Sequence, residues 1–312
     1  MNDDLLFPPD LPVLEQMRIH ASGRAWLAEL PALVAKYREE WSLRLDPPFH
    51  GGSCSWVAPA RTEDGTHAVF KVTWPHPEAA GEAEALRIWD GRGAVRLLRH
   101  DPGHSALLIE RCEPGTELGD AEHLPAEERL LIGAELLREL WSADLPAGHG
   151  LARVADVCAE WADVVEERMA RLRPGYDPGL VSLGARLLRE LPASATREVV
   201  VHGDFNPGNL LAAERRPWLA IDAKPMAGDP GYDLYPLIEQ VDDPYEHDDP
   251  KRVVADRFTL VADVLGEDRG RLLAWAVARR VETALWAADL GDGEGGGEVM
   301  GEARLLADLA GL

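Results

Sequence analysis

The sequence predicts an α+β protein of two lobes, an antiparallel five-stranded sheet with one helix followed by a mainly helical remainder. Three observations carry this. Short β-rich segments parted by turn residues fill the chain between residues 42 and 111. From about residue 125 onward, apolar residues mostly recur at helical spacing. Between them, residues 110–115 (ERCEPG) lose all periodicity and contain Pro-Gly, as a hinge between lobes would. The expected division is residues 1–111, the sheet-bearing lobe, and 112–312, the helical lobe. At 312 residues the chain is long enough for two cores.

Taken in order, Gly23 to Trp41 places Trp26, Leu27, Leu30, Leu33, Val34 and Tyr37 on one helical face ahead of the sheet. Strands are expected at 42–45, 55–60 and 66–73, the last two joined by the turn Glu63-Asp64-Gly65. A helix is expected over 77–90, then strands at 94–99 and 105–111 about the turn Asp101-Pro102-Gly103-His104. Helices are expected near 125–143, 151–172, 179–191, 230–241, 251–265, 268–290 and 298–310. The run GDGEGGG, 291–297, reads as a flexible loop by composition.

Lys plus Arg number 32 against 55 Asp plus Glu, a formal charge of -23. Such a field repels nucleic acid and anionic membrane surfaces and favours cationic partners, while also keeping the chain in solution. Cys54, Cys112 and Cys158 match no metal-ligand spacing, and their odd number argues against a disulfide framework. The start MNDDLLFPPD lacks a signal core and no apolar run is long enough to span a bilayer, so a cytoplasmic place is expected.

The chemistry concentrates in VVVHGDFNPGNLL, 199–211, where a buried strand runs into a loop bearing Asp204 and Asn209. Phosphoryl transfer needs such a pair: an Asp to orient and accept the proton of an attacking hydroxyl, and an Asn to reach a magnesium ion on the nucleotide. WLAID, 218–222, is a second apolar strand that delivers Asp222, the expected main magnesium ligand. Upstream, AVFKV, 68–72, is a strand carrying Lys71 toward phosphates, and Glu82 in GEAEALRIW is the expected carboxylate partner, with Glu78 and Glu84 as alternatives. Alone, HGD is a turn tripeptide. In this order, the set is the parts list of kinase catalysis.

HGGSCSWV, 50–57, lies between the first two strands, where Gly52, Ser53 and Ser55 let backbone N–H groups approach phosphate oxygens. It lacks the GxGxxG spacing, and a plain hairpin turn is the alternative. His202 reads as a packed anchor for the loop. Asp229, followed by Pro230, reads as a helix N-cap, which would turn Asp233 back toward the catalytic loop. Lys224 reads as a surface lysine, a second phosphate contact being the alternative.

The motifs HGDFNPGNLL (202–211), PWLAID (217–222) and GDPGYDLYP (228–236), with GRAWLAELPALV (23–34), WSLRLDPP (41–48) and DRGRLLAWAVAR (268–279), resemble the aminoglycoside phosphotransferases, in the streptomycin 6-phosphotransferase and hydroxyurea phosphotransferase branch. The resemblance covers nearly the whole chain. It implies a protein-kinase-like fold, ATP and Mg2+ as cofactors, and an adenine held by the hinge main chain, through the Glu110 carbonyl and the Cys112 N–H. It also implies an acceptor cleft lined by elements after Asp222, where Asp242, Asp243, Glu246, Asp248 and Asp249 would meet a cationic small molecule such as streptomycin. A solvated acidic loop is the alternative there.

Only 223–228 separate Asp222 from the Asp229-Pro230 helix start, too little for a peptide-binding activation segment. A metabolic kinase for a sugar or amino alcohol shares every catalytic feature and stays open, as does GTP. A non-catalytic pseudokinase would be expected to have lost a charge-handling residue, and none is missing. The protein is expected as a monomer or weak homodimer.

Overall fold

The computed structural model describes residues 5–312; residues 1–4, the start of the segment expected to lack a signal core, lie outside the described residues. The chain divides into two compact units, Met1–Gly115 with Ala212–Leu219, and Thr116–Leu211 with Ala220–Leu312.

Unit 1 opens with a short helix α1 (Pro12–Met17) and the long α2 (Ala21–Glu40), which buries Trp26, Leu30, Val34 and Tyr37 at helical spacing. Six-residue α1 is too short to show a period in the sequence, yet it buries Val13, Leu14 and Met17. Strands β1 (Arg44–Leu45), β2 (Ser55–Arg61) and β3 (His67–Thr73), helix α3 (Glu82–Trp89), and strands β4 (Leu97–Asp101) and β5 (Ala106–Glu110) follow. The five strands pair antiparallel in the order β1-β2-β3-β5-β4. The β2–β3 turn closes through Asp64, which accepts from the Thr66 N–H at 3.1 Å. The helix expected over 77–90 breaks in two, a 3-10 turn Pro77–Ala79 and then α3, with Gly81 between them. A ring cluster of Tyr37, Trp41, Trp56 and Phe70 fills the space between α2 and the sheet, with neighbouring centroids 4.6–6.0 Å apart.

Unit 2 begins with α4 (Ala126–Trp141), strand β6 (Ala152–Arg153), α5 (Val154–Leu172), α6 (Pro178–Ala193) and the fully buried β7 (Val199–Val201). Strands β8 (Leu210–Ala212) and β9 (Trp218–Ala220) follow in the chain, with residues 212–219 counted in unit 1, and β10 (Met226–Gly228) then joins β6 and β7 in a three-stranded sheet. Helices α7 (Tyr235–Gln240), α8 (Pro250–Leu265), α9 (Arg269–Asp289) and α10 (Gly293–Ala310) complete the chain. The helix expected over 230–241 is a 3-10 turn Pro230–Tyr232 followed by α7.

The glycine run is a correction. Residues 293–297 form the first turns of α10 instead of a flexible loop, because Asp292 caps the Gly295 N–H at 2.9 Å. The absence of side chains is what lets this end pack: a Cβ on Gly296 would stand 2.1 Å from the Tyr176 hydroxyl and 2.7 Å from the Ala284 carbonyl oxygen. Among the described residues no helix is long and apolar enough to cross a membrane.

Candidate active site

In unit 1, β3 is an interior strand, with Lys71 opposite Val57 on β2 and Leu107 on β5. Its ammonium donates to both carboxylate oxygens of Glu82, at 2.9 and 2.8 Å. Both residues are buried, Lys71 at 5% exposure and Glu82 at 3%. Glu82 is the first residue of α3, and the structure puts its carboxylate against Lys71; Glu84 is half-buried on the same turn, and the side chain of Glu78 lies outside the described residues. Burying two opposite charges is tolerable only as a hydrogen-bonded pair, which explains the two-point contact.

The loop ahead of β2 is exposed at Gly52 and Ser53, and Gly52 takes a positive φ of 94°. Ser55 is different: it is buried, and its hydroxyl donates to Thr73 Oγ1 at 2.9 Å across the β2–β3 pair. Its side chain is thus committed to the sheet.

Glu110 ends β5 with its carboxylate held by Arg215, at 2.7 and 2.9 Å, and by the Arg96 N–H at 2.9 Å. Burial pushes this carboxyl upward, but the bonds from Arg215 and Arg96 outweigh it and hold it below the usual range. Arg215 also donates to the carbonyls of Gly91 and Ala94, at 2.8 and 2.9 Å. Nothing in the sequence flags this arginine, because its partners lie more than a hundred positions away. Cys112 is buried, and burial with the nearby Glu110 charge pushes its thiol up to about 12, so it is a packed thiol.

In unit 2 the loop after β7 is anchored by the Ile221 carbonyl and the Asp233 carboxylate. His202 is wholly buried; its Nδ1 accepts from the Asp204 N–H at 3.3 Å, so Nε2 carries the proton and donates to the Ile221 carbonyl at 3.0 Å. Burial pushes the imidazole down to about 4, keeping it neutral, and its edge meets Phe205 with centroids 5.4 Å apart. Asp233 accepts the N–H groups of His202 and Gly203, both at 2.8 Å, and the Trp141 indole at 3.1 Å. Burial raises its carboxyl to about 6 against those bonds. Gly203 sits at φ 82°, and a Cβ there would lie 2.0 Å from the Lys224 carbonyl oxygen, so only glycine lets the loop approach the following segment.

Asp204 follows, partly exposed. Asn206 donates to its Oδ1 at 3.0 Å, while Asn209 donates to its Oδ2 at 3.2 Å and its main-chain carbonyl at 2.9 Å. A 3-10 turn, Pro207–Asn209, makes this possible by bringing Asn209 back under the loop. The main chain of Asn209 accepts from the Ile221 N–H at 2.9 Å, tying the loop to the residue before Asp222.

Asp222 lies just past β9 with a left-handed φ of 55°. Lys224 is half-buried and donates to the Asp222 carboxylate at 3.0 Å and to its carbonyl at 3.1 Å. This corrects the surface-lysine expectation: the turn folds the ammonium back onto its neighbour. Asp229 caps the Gly231 N–H at 2.9 Å, as its position before Pro230 implies, and is also paired with Arg271 and the Trp275 indole.

Among the described residues no group of three or more His, Cys, Asp or Glu side chains is arranged to hold a metal. The oxygen donors that Asp222 and Asn209 can offer nonetheless suit magnesium, a hard cation that takes few protein ligands and completes its shell with phosphates and water. That Asp222 already neutralises a cation, Lys224, fits the same role.

The acidic segment 240–251 is largely committed to structure. Asp243 caps the Tyr245 N–H at 2.8 Å, Asp249 caps the Arg252 N–H at 3.2 Å, and Asp242 pairs with Arg257 and His247. A cavity of about 580 Å³ beside it is lined by Glu127, Asp242 and Asp256 but equally by His247, Arg252 and Arg257, so it is of mixed charge.

A two-unit kinase-like fold with an HxDxxxxN loop and a strand-borne lysine paired to a helix glutamate defines a small-molecule phosphotransferase. A solved spectinomycin phosphotransferase, in complex with ADP and spectinomycin, has the same fold, with a TM-score of 0.56 at 11% identity over 90% of this chain and 98% of that one. The chain belongs to the aminoglycoside/hydroxyurea antibiotic resistance kinase family, whose model it matches over residues 40–291. It is 40% identical over 272 residues to a streptomycin 6-kinase of Streptomyces glaucescens, covering 87% of this chain and 86% of that protein. It is 39% identical over 274 residues to a hydroxyurea phosphotransferase of Kitasatospora aureofaciens, covering 88% and 77% respectively.

Proposed function

We propose that this antibiotic-modifying phosphotransferase moves the γ-phosphoryl group of ATP to a hydroxyl of a streptomycin-type acceptor. The observation that carries the chemical part is the Asp204 carboxylate, held by two amides at the head of an anchored loop and left partly exposed. In this reading Asp204 orients the acceptor hydroxyl and takes its proton; with a loose transition state, that orientation matters as much as basicity. Lys71, kept in place by Glu82, binds nucleotide phosphates, while main-chain groups around Gly52, Ser53 and Ser55 cover them. The Glu110 carbonyl and Cys112 N–H take the adenine edge. Asn209 and Asp222 hold magnesium, which when bound offsets charge on the phosphoryl oxygens.

The acceptor class is supported by the 40% identity to a streptomycin 6-kinase and by the formal charge of -23, which favours a guanidinium-bearing ligand over a neutral one. The nearly equal identity to a hydroxyurea phosphotransferase supports a second acceptor, small and uncharged. Use of ATP and three free cysteines fit work in the cytoplasm. The experiment is ADP release by the purified protein with ATP and magnesium, offered streptomycin, hydroxyurea or choline in turn, with the phosphorylated position read by NMR. Streptomycin-dependent turnover is expected. Turnover with choline alone would replace this reading by a metabolic kinase.

A further inference from the structure

Asn206 carries no step of the proposed chemistry, yet it touches the Asp204 carboxylate. Its amide is used at both ends: Oδ1 accepts the Gly208 N–H at 3.0 Å, and Nδ2 donates to Asp204 Oδ1 at 3.0 Å and to the Asp204 carbonyl at 3.3 Å. The first bond fixes the second. Because Gly208 can only donate through its N–H, the amide oxygen must face it, and the NH2 must then face Asp204. The amide is therefore oriented by the main chain and not by the carboxylate it holds.

We infer that Asn206 is a positioning residue for Asp204: it ties one carboxylate oxygen to the rigid 3-10 turn, so that the carboxylate plane is set before any acceptor arrives. Asn209 makes the matching bond to the other oxygen, but its amide is also the one assigned to the metal, so its hold on Asp204 is shared with a second task. Asn206 has no such second duty. Each carboxylate oxygen keeps a further lone pair, which leaves Asp204 able to accept from a hydroxyl while fixed. Geometry of this kind is worth having in a transfer reaction, where a misplacement of about 1 Å costs roughly a hundredfold.

The inference rests on the phosphotransferase reading, and the competing view is that Asn206 is only a cap. Asn206→Ser and Asn206→Asp separate the two, since Ser and Asp cap about as well as Asn but neither donates an amide. With streptomycin as acceptor, Asn206→Ser is expected to melt within about 2 °C of wild type and to lose roughly tenfold to a hundredfold in kcat, with KM for ATP and acceptor nearly unchanged. Asn206→Asp, which sets a like charge against Asp204, is expected to lose more. In an Asp204→Asn background, Asn206→Ser should cost nothing further, because the partner it positions is gone. Wild-type kcat in both single variants, or full additivity in the double variant, would overturn the inference while leaving the phosphotransferase reading intact. A measurement without turnover stands beside these: the Asn206 side-chain amide resonances should shift in Asp204→Ala, and unmoved resonances would overturn the inference even if streptomycin proves not to be the acceptor.

Discussion

His202→Gln should remove a specific part of the pH dependence of stability. In the folded protein the imidazole has no exposed surface, and its Nδ1 already accepts the Asp204 N–H, so a second proton would have to sit against a donor in a buried site. Its proton affinity accordingly falls from the ordinary 6.5 to about 4. A group whose folded value is depressed in this way binds more protons when unfolded, so it stabilises fully above pH 6.5 and that stability drains away as pH falls toward 4. At ~1.4 kcal/mol per tenfold change in proton affinity, the loss is about 3 kcal/mol. Asp233 works in the opposite direction. Its value rises from 3.8 to about 6, so its share is present at low pH and lost as pH rises between those values. The two slopes oppose one another between pH 4 and 6, and the wild-type curve alone would hide both. Gln at 202 leaves the main-chain N–H to Asp233 in place while abolishing the titration. The assay is urea unfolding at half-unit intervals from pH 7.5 to 4, with histidine NMR to follow the ring directly. The wild-type advantage over His202→Gln should shrink by about 3 kcal/mol across that range. A constant difference, or an imidazole that protonates near 6.5, would refute the reasoning.

Asp204→Ala should lower turnover about 10² to 10⁴-fold with the fold intact, measured as ADP release and checked by circular dichroism. Glu82→Gln leaves the buried Lys71 charge without its carboxylate; a loss of about 3 kcal/mol or more is expected in urea unfolding, with weaker ATP binding by calorimetry. Gly203→Ala combines a strained φ with a Cβ 2.0 Å from a carbonyl oxygen, and should destabilise by more than ~2 kcal/mol and depress kcat, whereas normal stability would mean the loop can move away. In the acidic segment, Asp243→Ala and Asp249→Ala should each cost about 0.5–2 kcal/mol as lost caps. Neutralising Glu246 and Asp248 should leave stability alone and raise KM for streptomycin if the loop attracts cations; an unchanged KM, including its salt dependence, would make the segment purely structural.

Read alone, the sequence determined the five strands of the first sheet, the long helices, the loop that carries Asp204 and Asn209, and the capping role of Asp229, but not the short α1, β6 and β10, because what it did determine rests on local rules: residue spacing, turn chemistry and N-cap preference act within a few positions. It also pointed to the family, since HGDFNPGNLL and GDPGYDLYP are contiguous. Tertiary structure alone decided matters of pairing. The choice of Glu82 against Lys71 depends on where α3 begins, three positions beyond the 3-10 turn at Pro77–Ala79. The grip of Arg215 on Glu110 joins segments 105 positions apart, and that of Arg271 on Asp229 joins segments 42 apart, distances over which no spacing rule operates. Lys224 reads as exposed until the turn at Asp222 folds it back. The glycines at 293–297 read as a loop because helix propensity penalises them; Asp292 caps the helix there, and Tyr176 and α9 leave room for nothing larger at Gly296. Local chemistry is written in neighbours, and packing is decided by which distant surfaces meet.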